Sequence, residues 1–152
     1  MATARHRLSP SGPFFEGSGD GSTVNLYSVD TDGTVQTDPE SSLIVQTWTV
    51  PVGAAGDYLI DWYCEVSSNA DTSTDPAAIG TVSLEADAVA LSEVTLNQIG
   101  DGNPWFQASG FAVRTLAAGD VVNLIVGPSG LEAVQLSARR RRITATPVTV
   151  IA

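Results

Sequence analysis

The stretch Tyr58-Leu59-Ile60-Asp61-Trp62-Tyr63-Cys64-Glu65-Val66 alternates two kinds of side chain with a period of two residues. One set of alternate positions is apolar or aromatic, namely Tyr58, Ile60, Trp62, Cys64 and Val66. Successive side chains of a β-strand point to opposite faces of a sheet, whereas a helix repeats every 3.6 residues. The stretch therefore predicts a strand with one face in a core and a second, mostly polar face that carries Asp61 and Glu65.

Similar short runs occur on both sides of this strand, and clusters of Gly, Pro, Asp and Asn separate them. The stretch 84–96 contains good helix formers, but Val82, Thr95 and its continuation from a strand pattern favour β-structure. We expect an all-β jelly-roll β-sandwich of about eight to nine antiparallel strands. The further predicted runs are 23–28, 43–50, 79–86, 89–96, 105–116, 121–126, 133–143 and, as an addition to an edge, 148–151.

The first 21 residues show no such periodicity and contain several glycines and prolines. This composition is typical of a linker. We predict an extended N-terminal arm over residues 1–21 and one jelly-roll domain over residues 22–152. Phe14 and Phe15 are the apolar exception in the arm, and we interpret them as an anchor on a neighbouring subunit rather than a staple on their own domain.

Composition limits the classes of function. The 152 residues include 43% hydrophobic and 16% charged residues, which is enough apolar surface for one domain with a core. No run approaches the roughly 20 apolar residues of a membrane span, and no apolar run follows the basic start, so we expect neither a membrane nor a secretion signal. Cys64 is the only cysteine, which excludes an internal disulfide and predicts a small buried side chain.

The formal net charge is −10, and its distribution is uneven. All seven basic residues are arginines, and residues 8–113 contain 15 acidic residues and no basic one. Binding of nucleic acid or anionic membrane requires cations that neutralise phosphates. We therefore expect neither as a partner.

The residue types needed for catalysis are missing or misplaced. The only histidine is His6, in the predicted arm, so a nucleophile would have no base beside it. Asp61 and Glu65 share a strand face, but they are four residues apart, roughly 13 Å, which is too far for either glycosidase geometry. We predict no catalytic residues, no cofactor and no enzymatic activity.

Asp30-Thr31-Asp32-Gly33-Thr34, with Asp38 and Glu40, clusters oxygen ligands around a turn. The alternatives are a calcium site and a hydrated acidic hairpin turn at Asp32-Gly33. The pattern departs from a calcium-binding EF-hand loop, so we favour the turn and predict no metal site. The same two alternatives, a calcium site and a hydrated turn, apply to Asp71, Asp75, Asp101 and Asn103, and we again favour the turn.

The run Arg139, Arg140, Arg141 and Arg142 is unusual, because four adjacent cations in a strand put two on each face and repel one another unless acids lie opposite. One interpretation is pairing with carboxylates of this chain or of another copy. The other is a dock for an acidic partner surface, made specific by bidentate arginine–carboxylate pairs. Both interpretations stay open at this point.

Three tryptophans raise the question of sugar binding, because aromatic faces stack on sugars. Trp48 and Trp62 alternate with core positions and are predicted to be buried. Trp105 follows Gly102-Asn103-Pro104 at a strand start and is our candidate exposed platform for a glycan.

Two segments resemble the jelly rolls of the C1q and tumour-necrosis-factor-like class: Gly56-Asp57-Tyr58-Leu59-Ile60-Asp61-Trp62, and the stretch from Ser109-Gly110-Phe111 to Leu116-Ala117-Ala118-Gly119-Asp120-Val121-Val122-Asn123-Leu124. Together they cover at most about a quarter of the chain. The C-terminal strand departs from that class, which usually ends on an aromatic and glycine-bearing strand, whereas this chain ends on the arginine run and residues 143–152.

The overall form, a short acidic jelly roll behind a proline- and glycine-rich arm, resembles accessory virion proteins of tailed bacteriophages. This resemblance implies a head decoration or cement protein, made in the host cytoplasm and located on the capsid surface. Its partners would be the major capsid protein and copies of itself, with a trimer favoured. The alternative is a host-surface or carbohydrate-binding module of a phage fibre or tail, which would use Trp105 and the loops 69–76 and 100–104.

Overall fold

The computed structural model describes residues 5–7, 14–16, 23–38, 41–68, 78–97, 105–128 and 135–149. Within these ranges all regular structure is β, and no helix is long and apolar enough to cross a membrane. The strands are β1 (Arg5–Arg7), β2 (Phe14–Glu16), β3 (Thr23–Asn25), β4 (Tyr27–Thr31), β5 (Val35–Gln36), β6 (Leu43–Thr49), β7 (Gly56–Ser68), β8 (Ala78–Ala86), β9 (Val89–Asn97), β10 (Phe106–Leu116), β11 (Val121–Pro128) and β12 (Leu136–Pro147).

Nine of these strands form the two antiparallel sheets of a sandwich. One sheet has the order β10-β7-β12-β4, with β5 also paired to β12, and the other has the order β6-β11-β8-β9. The predicted all-β jelly-roll sandwich is confirmed. Strands β1, β2 and β3 form a separate three-stranded sheet, with Phe14 and Phe15 in β2. The boundary between arm and domain, and the anchoring role of Phe14 and Phe15, stay predictions.

The core lies between the two sheets, and β7 supplies its centre. The alternation that predicted this strand is confirmed, because its apolar set is buried and Ile60 and Cys64 are fully buried. The inward side chains Val122, Leu124 and Val126 of β11 belong to the same cluster. Burying one such aliphatic side chain stabilises the fold by about 1.5–3 kcal/mol. Burial also raises the pKa of the Cys64 thiol to about 12, so this thiol is protonated and unreactive at neutral pH.

The stretch 84–96, which contains good helix formers, lies in a β-hairpin formed by β8 and β9. Its two-residue turn, Asp87-Ala88, has both residues at positive φ, 50° and 63°. Turns of this kind match the right-handed twist of the paired strands. Residues 78–97 are therefore two antiparallel strands, as predicted.

Two local predictions are wrong. Asp32-Gly33 is no hairpin turn, because β4 and β5 do not pair with each other; both pair with β12, so residues 32–34 interrupt one edge strand. The expected edge addition is also absent at Val148 and Thr149, which follow β12 outside any strand. Pro147 ends β12, since proline has no N–H to offer to the ladder. Residues 150–152 lie outside the described ranges.

Gly80 of β8 lies so close to β11 and β12 that the packing leaves no room for a side chain at this position. A Cβ atom there would collide with the backbone oxygen of Gly127 and come within 2.8 Å of a methyl carbon of Leu136. We expect Gly80→Ala to lower the free energy of unfolding by about 1–3 kcal/mol, because overpacking forces the backbone to shift. Urea unfolding would measure the loss. The control is Gly56→Ala, where a Cβ meets nothing within 4 Å; an equal loss in both variants would contradict this packing account.

A candidate ligand site on the outer face of the five-stranded sheet

The outer face of the five-stranded sheet is the surface of β10, β7, β12 and β4 that points away from the core. One row across it joins Ser109, Tyr63, Arg142 and Asp30 through direct strand pairing. These side chains point outward because their chain neighbours on β7, β12 and β4 face the core. Strand pairing therefore brings together residues far apart in the sequence.

A β-bulge decides where the four arginines point. Arg139 pairs with Glu65 and Arg142 with Tyr63, so Arg140 and Arg141 together oppose the single residue Cys64. Arg140 has a φ of 47°, in the left-handed region that side chains other than glycine rarely adopt. The extra residue changes the alternation of the strand. The expectation of two arginines on each face is therefore wrong, because three point outward.

Arg141 is the inward-facing member of the run. It is buried beside the core residues of β12, and its Nε atom has no hydrogen-bond partner. In the described part of the chain it forms no ion pair. An exposed dock for a partner would therefore use the other three arginines.

Glu65 binds two of those arginines. Its carboxylate accepts a hydrogen bond from Arg139 Nε at 2.6 Å, from Arg140 Nη1 at 3.1 Å and from the Tyr63 hydroxyl at 3.0 Å. The Glu65 side chain is only 3% exposed. The hydrogen bond from Arg139 is the main cause that lowers its pKa, with further contributions from Tyr63 and the Arg140 charge. Glu65 is thus a buried carboxylate that stays ionised and holds Arg139 and Arg140 in place, which is the intramolecular pairing considered from the sequence.

Trp105 contacts the same cluster. The Arg139 guanidinium carbon lies 3.9 Å from the centre of the Trp105 ring, in a cation–π arrangement. Trp105 is half-buried just before β10, and one of its ring faces is covered by this arginine. It therefore supports the arginine cluster and offers less open aromatic surface than the sequence suggested. The loops 69–76 and 100–104, predicted to act with it, fall outside the described ranges.

The bulge and the interrupted edge strand lie next to each other, and a depression of about 190 Å³ opens there. It is lined by Asp30, Asp32, Tyr63, Arg140 and Arg142. In the described part of the chain, no ion pair within 4.0 Å engages Asp30, Asp32 or Arg142. The depression thus presents two carboxylates and the Arg142 guanidinium without such an ion pair, together with Arg140, which Glu65 already binds, and the half-buried ring of Tyr63.

The charges of this lining cancel, because it holds two aspartates and two arginines. The neighbouring pair of Glu65 and Arg139 is also neutral as a unit. A ligand with a strong net charge would gain little here, whereas a neutral ligand with many hydroxyl groups can donate to the aspartates and accept from the arginines.

Phe111 and Val113 on β10 extend the outer face beyond the depression. Phe111 is 71% exposed and Val113 is 57% exposed. Phe111 pairs with Asp61, whose pKa is raised by burial despite the opposing effect of the Arg142 charge. Sequence reasoning identified the strand but did not single out these residues. The signal was present, since both have the outward parity of Ser109 in a strand whose inward positions include Ala108 and Leu116.

No metal site emerges among the acidic residues that the structure describes, where no three His, Cys, Asp or Glu side chains cluster suitably. Asp71, Asp75, Asp101, Asn103 and Glu40 fall outside the described ranges. Trp48 and Trp62 are buried in the core, as predicted.

We expect Glu65→Gln to destabilise the fold at pH 7, because it removes the charge that compensates Arg139 and Arg140. A carboxyl group whose pKa is lowered by folding contributes stability above its ordinary value of 4.5, and this stability is lost as the pH falls through the folded-state pKa. The stability difference between wild type and variant should therefore shrink in acid. Urea unfolding from pH 7 to pH 3 measures it, with the exposed Glu93→Gln of β9 as control; a difference independent of pH would contradict this role.

No protein-family model matches the chain, and no curated protein sequence matches it. Solved structures share its fold. The tumour-necrosis-factor protein Eiger from S. frugiperda is 12% identical, with a TM-score of 0.50 over 84% of this chain and 95% of its own. The C-terminal domain of EclA, a sugar-binding protein, is 14% identical, with a TM-score of 0.45 over 74% of this chain and 78% of its own.

A third similar structure is the C-terminal CBM6 domain of LamC, a marine laminarinase from Zobellia galactanivorans. It is 14% identical, with a TM-score of 0.39 over 78% of this chain and 99% of its own. At these identities the likeness concerns the fold alone, and the similarity to Eiger is consistent with a jelly-roll fold.

Proposed function

We propose that this chain is a carbohydrate-binding domain whose site is the depression lined by Asp30, Asp32, Tyr63, Arg140 and Arg142. The observation that carries the proposal is the electrically balanced lining of this depression, in which Asp30, Asp32 and Arg142 form no ion pair within the described ranges. Each sugar hydroxyl is both a donor and an acceptor, so neighbouring hydroxyls can bridge a carboxylate and a guanidinium. The ring of Tyr63 supplies an apolar wall beside them.

The rigidity of the site supports the same proposal. Binding is weakened when long side chains must be ordered by the ligand. Arg140 is already held by Glu65, and the Tyr63 hydroxyl donates a hydrogen bond to the same carboxylate. A sugar would therefore meet donors and an aromatic ring that are in position beforehand.

We expect Arg142→Ala to weaken binding of a neutral sugar by roughly 10- to 100-fold, because hydrogen bonds to a charged group contribute about 1.5–3 kcal/mol each. A panel of neutral monosaccharides and oligosaccharides would identify the ligand, and isothermal titration calorimetry would measure its Kd. The matched control is Arg114→Ala, an exposed arginine of β10 that does not line the depression. The absence of any binding across the panel would refute the proposal.

The second candidate is the accessory virion protein, in which this domain, as a trimer or another homo-oligomer, attaches to a capsid shell. One observation favours it: Arg140 and Arg142 are exposed on the same sheet face as Phe111 and Val113. Arginine and aromatic residues are enriched in protein interfaces. The major capsid protein would be the partner and the virion surface the location.

Deleting residues 2–21 should abolish attachment to capsid shells while the jelly roll stays folded, because the second candidate assigns the anchor to Phe14 and Phe15. Co-sedimentation with shells measures attachment, and light scattering gives the oligomeric state. A full-length monomer that does not sediment with shells would argue against this candidate, and attachment by the truncated protein would argue against the arm as its anchor.

A further inference from the structure

Phe111 is the most exposed aromatic side chain that the structure describes, because it lies on the face of β10 that points away from the core. It lies beside the depression on the same sheet face. Since Phe111 pairs directly with Asp61, it is the diagonal neighbour of Tyr63, at roughly 7–8 Å across the strands. A ligand that extends from the depression past Tyr63 therefore reaches Phe111.

We infer that Phe111 forms a second subsite, which stacks on one sugar ring while the depression binds the adjacent ring. This inference rests on the proposed function and adds the class of ligand, a neutral oligosaccharide that crosses the strands from β4 toward β10. The faces of aromatic rings carry negative charge density, which attracts the C–H groups on the apolar side of a sugar. Val113, also exposed, continues the apolar surface along β10.

Asp61 favours a sugar over a protein surface as the occupant of this subsite. It pairs with Phe111 on one side and with Thr144 on the other, so anything that covers Phe111 approaches its carboxylate. Within the described ranges this carboxylate forms no ion pair. An apolar protein surface would remove water from this carboxylate without offering it a hydrogen bond, which is costly even beside the Arg142 charge. A sugar can stack on Phe111 and donate a hydroxyl to Asp61 at the same time.

The test compares chain lengths. Isothermal titration calorimetry would measure the Kd of glucose, mannose and galactose and of their β-linked oligomers of two to four residues. For the wild-type protein we expect a β-linked disaccharide to bind about tenfold more tightly than the corresponding monosaccharide. Phe111→Ala should lose this gain while the Kd for the monosaccharide changes less than twofold. The control is Ile44→Ala, an exposed apolar residue of β6 in the opposite sheet, and urea unfolding of each variant confirms that its fold is intact.

The outcomes separate the two proposals. Monosaccharide binding with an unchanged length dependence in Phe111→Ala would overturn the second subsite alone. No binding of any of these sugars to the wild type would overturn both. Loss of an oligomer in Phe111→Ala, detected by light scattering with sugar affinities unchanged, would mean that Phe111 contacts another copy of the chain, and this too would overturn the subsite.

Discussion

The arrangement of the outer face depends on one constraint, the need of the Glu65 carboxylate for compensating donors inside a sheet. A buried charge is tolerated only when it is paired and hydrogen-bonded. Glu65 obtains three donors, from Arg139, Arg140 and Tyr63, and two of them come from β12. A regular strand would place only one of two consecutive arginines on this face. The bulge at Arg140 brings both to the same carboxylate.

The pocket lies where two irregularities of the sheet adjoin each other. Next to the bulge, the edge strand is interrupted between β4 and β5, so residues 32–34 leave the ladder. Asp30 and Asp32 then line a depression together with Arg140 and Arg142. The local charge balance follows from this placement, although the chain as a whole has a net charge of −10. A balanced, hydrogen-bonding pocket on a strongly acidic body is the feature on which the proposed sugar specificity rests.

Much of the sandwich could be predicted because strand periodicity is local. The alternation in Tyr58–Val66 identifies the central strand and its core face, and similar runs identify most of the other strands. The turn Asp87-Ala88 was harder to recognise, because its positive φ values are usually associated with glycine or asparagine. The Asp32-Gly33 prediction failed for a related reason: a turn-forming dipeptide reports a local bend, whereas pairing of its flanks with each other or with a third strand depends on distant residues.

By itself, the sequence determined the all-β class, the buried set of β7, the single cysteine and the unusual arginine run, because each follows from residue type and short-range spacing. Only the tertiary structure decided which carboxylate forms ion pairs with those arginines and which side chains line the depression. Glu65 and Arg139 are 74 residues apart, and Asp30 meets Arg142 across a strand pair. Such neighbours are set by sheet order, register and one bulge, and these depend on the packing of the whole sandwich rather than on any local pattern.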